Sequence, residues 1–376
     1  MRNSTTIEKV RQYHQKLYRS ENLILTITGR IDETQLFEKV RHIEEKVLKK
    51  RSLDQNYSFD RPWQAPLKPS GFTEDHVFTH EFPSDDESKG HVLIGWRLED
   101  HITKDIPILE AFQLMLQYLT SSKVSPFEAE FVESTDPLAS SVGFYSLDYS
   151  EPALLVKFSN VPTNRTSEII PKMRKVIQKV LDDGPSKFDL VRIHDYIDRG
   201  IVKNQKENEN SPHLFLPDAT LLDKLYGQKK NNFKEFVVSS QWSAAHKDRN
   251  ASYWLELMDE IFNNHLSIAV EAKPSLKLST DYTEQEEART QKQIEDLGPE
   301  GMKKKMQELE DALESQTLPP NDVLTEITLG DVEKIQFRSL NSYNRTLNTG
   351  NLFNFSAVPF KIHVDDVKSN FVTIYV

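Results

Sequence analysis

Cysteine is absent from this 376-residue chain, glycine is scarce at 12 residues, and no apolar run comes near the length of a membrane span. Each shortage closes off a class of function. Without cysteine there are no disulfides and no thiolate metal sites, a composition that suits a reducing compartment; the expected location is the cytoplasm, with mitochondria as the alternative. The few glycines form neither a G-x-x-x-x-G-K nor a G-x-S-x-G string, so the sequence offers no phosphate-cradling loop and no nucleophile elbow. A bilayer-spanning helix needs about 20 apolar residues. The polar start MRNSTTIEKVRQ is no signal peptide, so the six Asn-x-Ser/Thr sequons read as incidental. Basic residues are also in short supply, 47 Lys and Arg against 58 Asp and Glu, for a net charge of −11. That balance works against a nucleic-acid partner, whose binding depends on releasing counterions at a basic surface. Among peptide partners it favours basic ones.

What is present is an ordinary globular balance, 37% hydrophobic and 28% charged, over a length sufficient for two or three packed modules. Residues 13–32, YHQKLYRSENLILTITGRID, read as a helix end with Tyr13, His14 and Tyr18, a turn at Ser20-Glu21-Asn22, and a buried strand over 23–28 closed by Gly29. Asp32 then caps a helix, with Gln35 as its capping-box partner. In that helix, about 33–50, Leu36, Val40, Ile43 and Val47 share one face. Glu38, His42 and Glu45 stand three and four apart, a spacing open to metal ligation, but a solvated charged face accounts for them. Residues 51–70, with Pro62, Pro66 and Pro69, lack periodicity and form a linker.

The next stretch opens with alternation over 77–80. After the polar SDDESKG turn, Val92, Ile94, Trp96 and Leu98 fall on one face, so the two runs read as a strand pair with one buried side. An amphipathic helix over 108–119 supplies its cover. Strands at 140–149 and 153–158 follow, then a helix over 166–181 that stops at Asp183-Gly184-Pro185. Strands in pairs followed by helices mean α+β: one mostly antiparallel sheet with both helices on the same face. Beyond Phe188 the pattern is helical, over 191–205, 218–226, 232–241 and 251–264. A strand at 266–271 leaves through Lys273-Pro274-Ser275. Residues 283–315 read as a charged helical pair broken at Gly298-Pro299, and strands at 332–337, 360–363 and 370–376 open a further module.

The order of these pieces resembles the pitrilysin/insulysin-type zinc metallopeptidases, whose relatives include presequence-degrading and mitochondrial processing peptidases. Tyr13-His14, Tyr18-Arg19, Asn22-Leu23, Gly29 and Asp32 carry the likeness first. The EFPSDDESKGHVLIGWRLED segment, Tyr226-Gly227, Lys273-Pro274-Ser275, and Arg289 through Leu297-Gly298-Pro299-Glu300-Gly301 continue it in the same order. The resemblance covers essentially the whole chain and is nearest to the large multi-module branch. It implies a C-terminal part of a first peptidase-like module at 1–62, a second, non-catalytic module at 70–318, and the start of a third at 321–376. The first and last would be incomplete.

Members of that family hold zinc with a helical H-x-x-E-H, whose glutamate is the general base, and a second glutamate about 70–80 residues later. This chain has no such string. His76-Val77-Phe78-Thr79-His80 has the spacing without the glutamate, and in a strand its histidines stand roughly 13 Å apart. His194 beside Asp195, and His213, read as surface or core-satisfied residues. The resemblance places the zinc helix and distal glutamate before the Tyr-His segment, so no catalytic, cofactor or metal residue is assigned to this chain. The resulting expectation is a non-catalytic part of a peptide-hydrolysing assembly, forming part of a substrate chamber; its partners would be peptides, reached through the complete parent or a complementary chain. The alternative is a stand-alone interaction or assembly protein with the same fold.

Overall fold

The computed structural model describes residues 5–19, 22–29, 32–50, 72–98, 106–147, 152–226, 233, 243–316, 341–346 and 361–366. The expected linker at 51–70, most of the helix at 232–241, Gly227, and the strands at 332–337 and 370–376 lie outside these residues. Packing divides the chain into two units, 1–285 and 286–376.

Strand β2 (Lys89–Arg97) shows why the sheet forms. Its burial alternates residue by residue, with Val92, Ile94 and Trp96 closed off and His91, Leu93 and Gly95 half-buried. That is the period-2 signature of a strand with one covered face. β4 (Ala153–Pro162) repeats it, with Leu154, Val156 and Phe158 fully buried. β1 (His76–Pro83), β3 (Ser141–Leu147) and β5 (Ser267–Ser275) complete a five-stranded sheet in the order β1-β5-β2-β4-β3. β5 pairs parallel with β1; the other three junctions are antiparallel.

The sequence reading of β1 and β2 as a pair is corrected here. β5, about 170 residues further on, inserts between them. The connection Ser84–Ser88 therefore spans two strand spacings, about 10 Å, well within the reach of five residues. Its acids also have a task that the word "turn" conceals. The Glu87 carboxylate accepts the Leu276 N–H at 2.8 Å, and Asp85 accepts the Ser279 hydroxyl at 3.1 Å. Negative charge thus meets the positive end of the helix that starts at Leu276.

Among the described residues, the helical cover lies on the Trp96 side. Helices α3 (Ile106–Thr120), α4 (Pro126–Phe131), α5 (Ile169–Asp183) and α6 (Leu190–Asn210) share one apolar core with the closed face, as the sequence predicts for the first and third of them. α3 brings Phe112, Met115, Leu116 and Leu119, spaced three and four apart. α5 ends at Gly184, whose φ of 70° suits glycine. α6 is capped by Asp189, which accepts the Arg192 N–H at 3.0 Å. α7 (Pro212–Tyr226) and α8 (Ala251–Asp259) follow, α8 continuing as a wider turn over Glu260–Asn264. α9 runs Leu276–Ser315 with a break at Gly298, φ 59°, before Pro299. It begins seven residues earlier than its sequence pattern indicated, directly on the strand exit. In the second unit β6 (Asn341–Thr346) pairs antiparallel with β7 (Lys361–Asp366).

Ahead of the sheet, α1 (Ile7–Leu17) and α2 (Glu33–Lys50) frame the family-like stretch. Asp32 caps α2 as expected, accepting the Gln35 N–H at 3.0 Å. The buried strand expected at 23–28 is not formed. Those residues are irregular, and Leu23, Ile24, Leu25 and Ile27 are exposed. No strand among the described residues lies beside them to accept a ladder, and without one an apolar, β-branched run has no reason to hold strand geometry.

Candidate functional site

The register of the sheet places alternate residues of all five strands on the face opposite the helices. Three rows cross it. The first is Tyr145, Leu155, Gly95, Ile268 and His76; the second is Gly143, Lys157, Leu93, Val270 and Phe78; the third is Ser141, Ser159, His91, Ala272 and His80. Leu93, Leu155 and Val270 are half-buried, whereas Tyr145 and Phe78 are 52% and 45% exposed. No helix among the described residues shares a core with this face.

Aromatic contacts line its β1 edge. Phe72 packs on His76 at 4.7 Å between ring centroids, His76 stacks on Phe78 at 5.9 Å, and Phe82 stacks on His91 at 5.8 Å. His91 sits at the bulge between Gly90 and His91, where β2 and β4 shift register. The Asn160 N–H donates to its Nδ1 at 3.4 Å, leaving the ring proton on Nε2. Partial burial first, and the Lys157 charge second, hold the His91 pKa below the ordinary imidazole value. Gly90 is obligatory at this bulge, because a Cβ there would stand 2.3 Å from the Ala272 carbonyl oxygen. Gly95 is different: a Cβ there would make ordinary contact, 3.6 Å, with the Leu155 side chain, so the bare backbone leaves only a shallow notch beside Leu155, with Ile268 as its register partner on β5.

A second polar cluster lies inside the helical layer. Ser243 donates to the Glu110 carboxylate, His246 Nε2 lies 3.0 Å from the Pro107 carbonyl oxygen and 3.9 Å from Glu110, and Trp254 packs 5.9 Å from the imidazole. Burial raises the Glu110 pKa, opposed by the Ser243 bond. A hydrolase triad needs the order nucleophile, imidazole, carboxylate. Here the carboxylate lies between serine and imidazole, and His246 is 3% exposed. The cluster fastens residues 243–246 to the start of α3. A cavity of about 360 Å³ opens elsewhere in the helical layer, where the Arg192 guanidinium lies 3.8 Å over the Tyr118 ring and donates to the Val124 carbonyl at 2.9 Å.

The residues weighed from sequence fall as follows. His76 and His80 sit at alternate rows of β1, in extended backbone, a geometry that does not fit one shared zinc ion. Among the described residues no three His, Asp or Glu side chains gather as metal ligands. Glu38, His42 and Glu45 are exposed on α2, His194 is half-buried on α6 beside exposed Asp195, and His213 is exposed in the first turn of α7. Sequence reasoning passed over the open face altogether. It followed Val92, Ile94, Trp96 and Leu98 and left the complementary positions 91, 93, 95 and 97 unread, although the same alternation names them.

The family described as the peptidase M16 inactive domain matches residues 4–195. An uncharacterized Caenorhabditis elegans protein is 27% identical over 382 residues, covering all of this chain and 37% of its own length. A second, from Schizosaccharomyces pombe, is 24% identical over 98% of this chain and 36% of its own. The chain thus spans little more than a third of the length of these relatives. Among solved structures, a protease from Helicobacter pylori has the same fold, with a TM-score of 0.52 over 72% of this chain and 60% of its own at 17% identity. With half its length matched and the sheet-and-helix architecture shared, the chain belongs to the M16 peptidase family, as a module of the inactive-domain type.

Proposed function

We propose that this chain is a non-catalytic wall of a peptide-degrading chamber, holding polypeptide on the open sheet face while bond cleavage is carried out by a segment with the family's H-x-x-E-H helix. The observation that supports this reading most is the division of the sheet. One face shares a core with five helices, α3 to α6 and α8, and the other offers Phe78, Leu93, Leu155, Val270 and Tyr145 beside imidazoles and a lysine. Apolar surface of this kind, rimmed by polar groups, is typical of a polypeptide-binding surface. The histidine pair of β1 contributes polar contacts in this reading, not metal ligation.

A mixing experiment tests it. The purified chain, with zinc supplied, should leave an unstructured fluorogenic peptide uncleaved. Turnover should begin only when a polypeptide carrying the H-x-x-E-H half is added. Cleavage by the chain alone that disappears in His76→Ala or His80→Ala would overturn the proposal.

A further inference from the structure

The charge of the open face opposes the charge of the molecule. The chain carries 58 Asp and Glu against 47 Lys and Arg, yet the three rows hold no carboxylate. Their ionic and ionisable groups are Lys157, His76, His80 and His91, with Arg97 one step beyond on β2, opposite Ala153. Lys157 is half-buried in the second row, beside Leu93. Its field reaches into the third row, where it is the charged contributor to the lowered pKa of His91. A partly desolvated ammonium with no carboxylate in its row attracts an anion more strongly than an exposed surface lysine does.

The rows also have a repeat. Successive rows along a strand are two residues apart, about 6.7 Å, and the same distance separates alternate side chains of any extended peptide. A peptide laid along the strand direction therefore presents its side chains to the rows one by one. The first row offers the shallow Gly95 notch in an apolar strip of Leu155 and Ile268 that continues to Tyr145 beyond Leu155, a surface that an apolar or aromatic side chain can cover. The second offers Lys157 flanked by Leu93. We infer that the open face selects extended polypeptide in which an apolar or aromatic residue over the Gly95 notch lies two positions from an acidic residue opposite Lys157. This rests on the chamber-wall reading and specifies its substrate class. It runs against the preference for basic peptides that the net charge of −11 implies.

Fluorescence anisotropy with the purified chain tests it, using fluorescein-labelled unstructured octapeptides that differ at one position: Phe-x-Glu, Phe-x-Lys and Phe-x-Gln. The Glu peptide should bind about tenfold more tightly than the Lys peptide, a gap of about 1.4 kcal/mol, and the gap should shrink as salt rises. Lys157→Glu should reverse the order. Gly95→Leu, which fills the notch and whose Cβ would stand 3.6 Å from the Leu155 side chain, should weaken all three, with thermal melts showing that both variants fold. Equal binding of the three peptides, weakened by Gly95→Leu, would leave the chamber wall standing and overturn the acidic selectivity. Absence of binding by any peptide would overturn both. A dT12 oligonucleotide that binds and is lost in Lys157→Glu, or a dimer in sedimentation that the same change dissociates, would assign the face to nucleic acid or to a second copy and overturn the inference.

Discussion

The two faces of the five-stranded sheet are made from alternate residues of the same strands, and they have opposite constructions. On β2 the closed face is Val92, Ile94 and Trp96, each at most 1% exposed within the core that the helices share; one residue away, His91, Leu93 and Gly95 look out half-buried. On the closed side, size and shape complementarity decide the residue. On the open side, side chains that a second helical layer would normally cover are kept apolar, yet interleaved with imidazoles, a lysine and a bare glycine. The difference teaches that a packed core and an exposed, mixed surface can be read separately from the two parities of one strand.

The sharpest way to break this comparison is paired truncation. Trp96→Ala removes a fully buried indole packed at 4.9 Å against Phe262 and should cost about 3–5 kcal/mol in denaturant unfolding. Phe78→Ala, on the open face, should cost well under half as much. Similar losses would mean that something covers the open face. A glycine pair makes the same point more finely. Gly90→Ala drives a carbon into the Ala272 carbonyl and should cost about 1–3 kcal/mol, whereas Gly95→Ala, whose carbon would only touch Leu155 at ordinary contact distance, should change the melting temperature little. Glu87→Ala should cost about 1 kcal/mol by uncapping α9; an unchanged melting curve would show that the acidic connection between β1 and β2 has no such task.

The smallest expected effect lies in the pH dependence of Glu110. Its folded pKa is raised by burial, so the unfolded chain loses this proton first as pH rises. The stability associated with the protonated acid is full below the ordinary glutamate value and declines as pH climbs through the raised one. Glu110→Gln removes that decline. Relative to the parent, the variant should therefore gain stability as pH rises above the ordinary glutamate value; a difference that is flat with pH would contradict the raised pKa.

Much of this architecture was legible in the sequence because its signals are local. The alternation of Val92, Ile94, Trp96 and Leu98 named the closed face, the three-and-four spacing of α3 named its cover, and Gly184 and Gly298 marked the helix breaks. What was not legible depends on distant partners. β5 separates β1 from β2 from about 170 residues away, and no local pattern announces a strand insertion. Leu23 to Thr28 has strand composition but lacks a neighbouring strand among the described residues, and composition alone does not order a backbone. The whole-chain charge favours basic peptides, and a sum over 376 residues does not show that the three described rows of the open face hold no carboxylate.

Photo-crosslinking tests the central claim most directly, that polypeptide lies on the open face. A Phe-x-Glu octapeptide in which benzophenone-alanine replaces Phe would be irradiated with the full chain and the adducts mapped by mass spectrometry. Adducts should concentrate on the row around the Gly95 notch, at Tyr145, Leu155 and Ile268, and should fall away in Gly95→Leu. Adducts concentrated at Tyr118, Phe188 and Arg192 would instead place the peptide in the helix-side cavity and contradict the account.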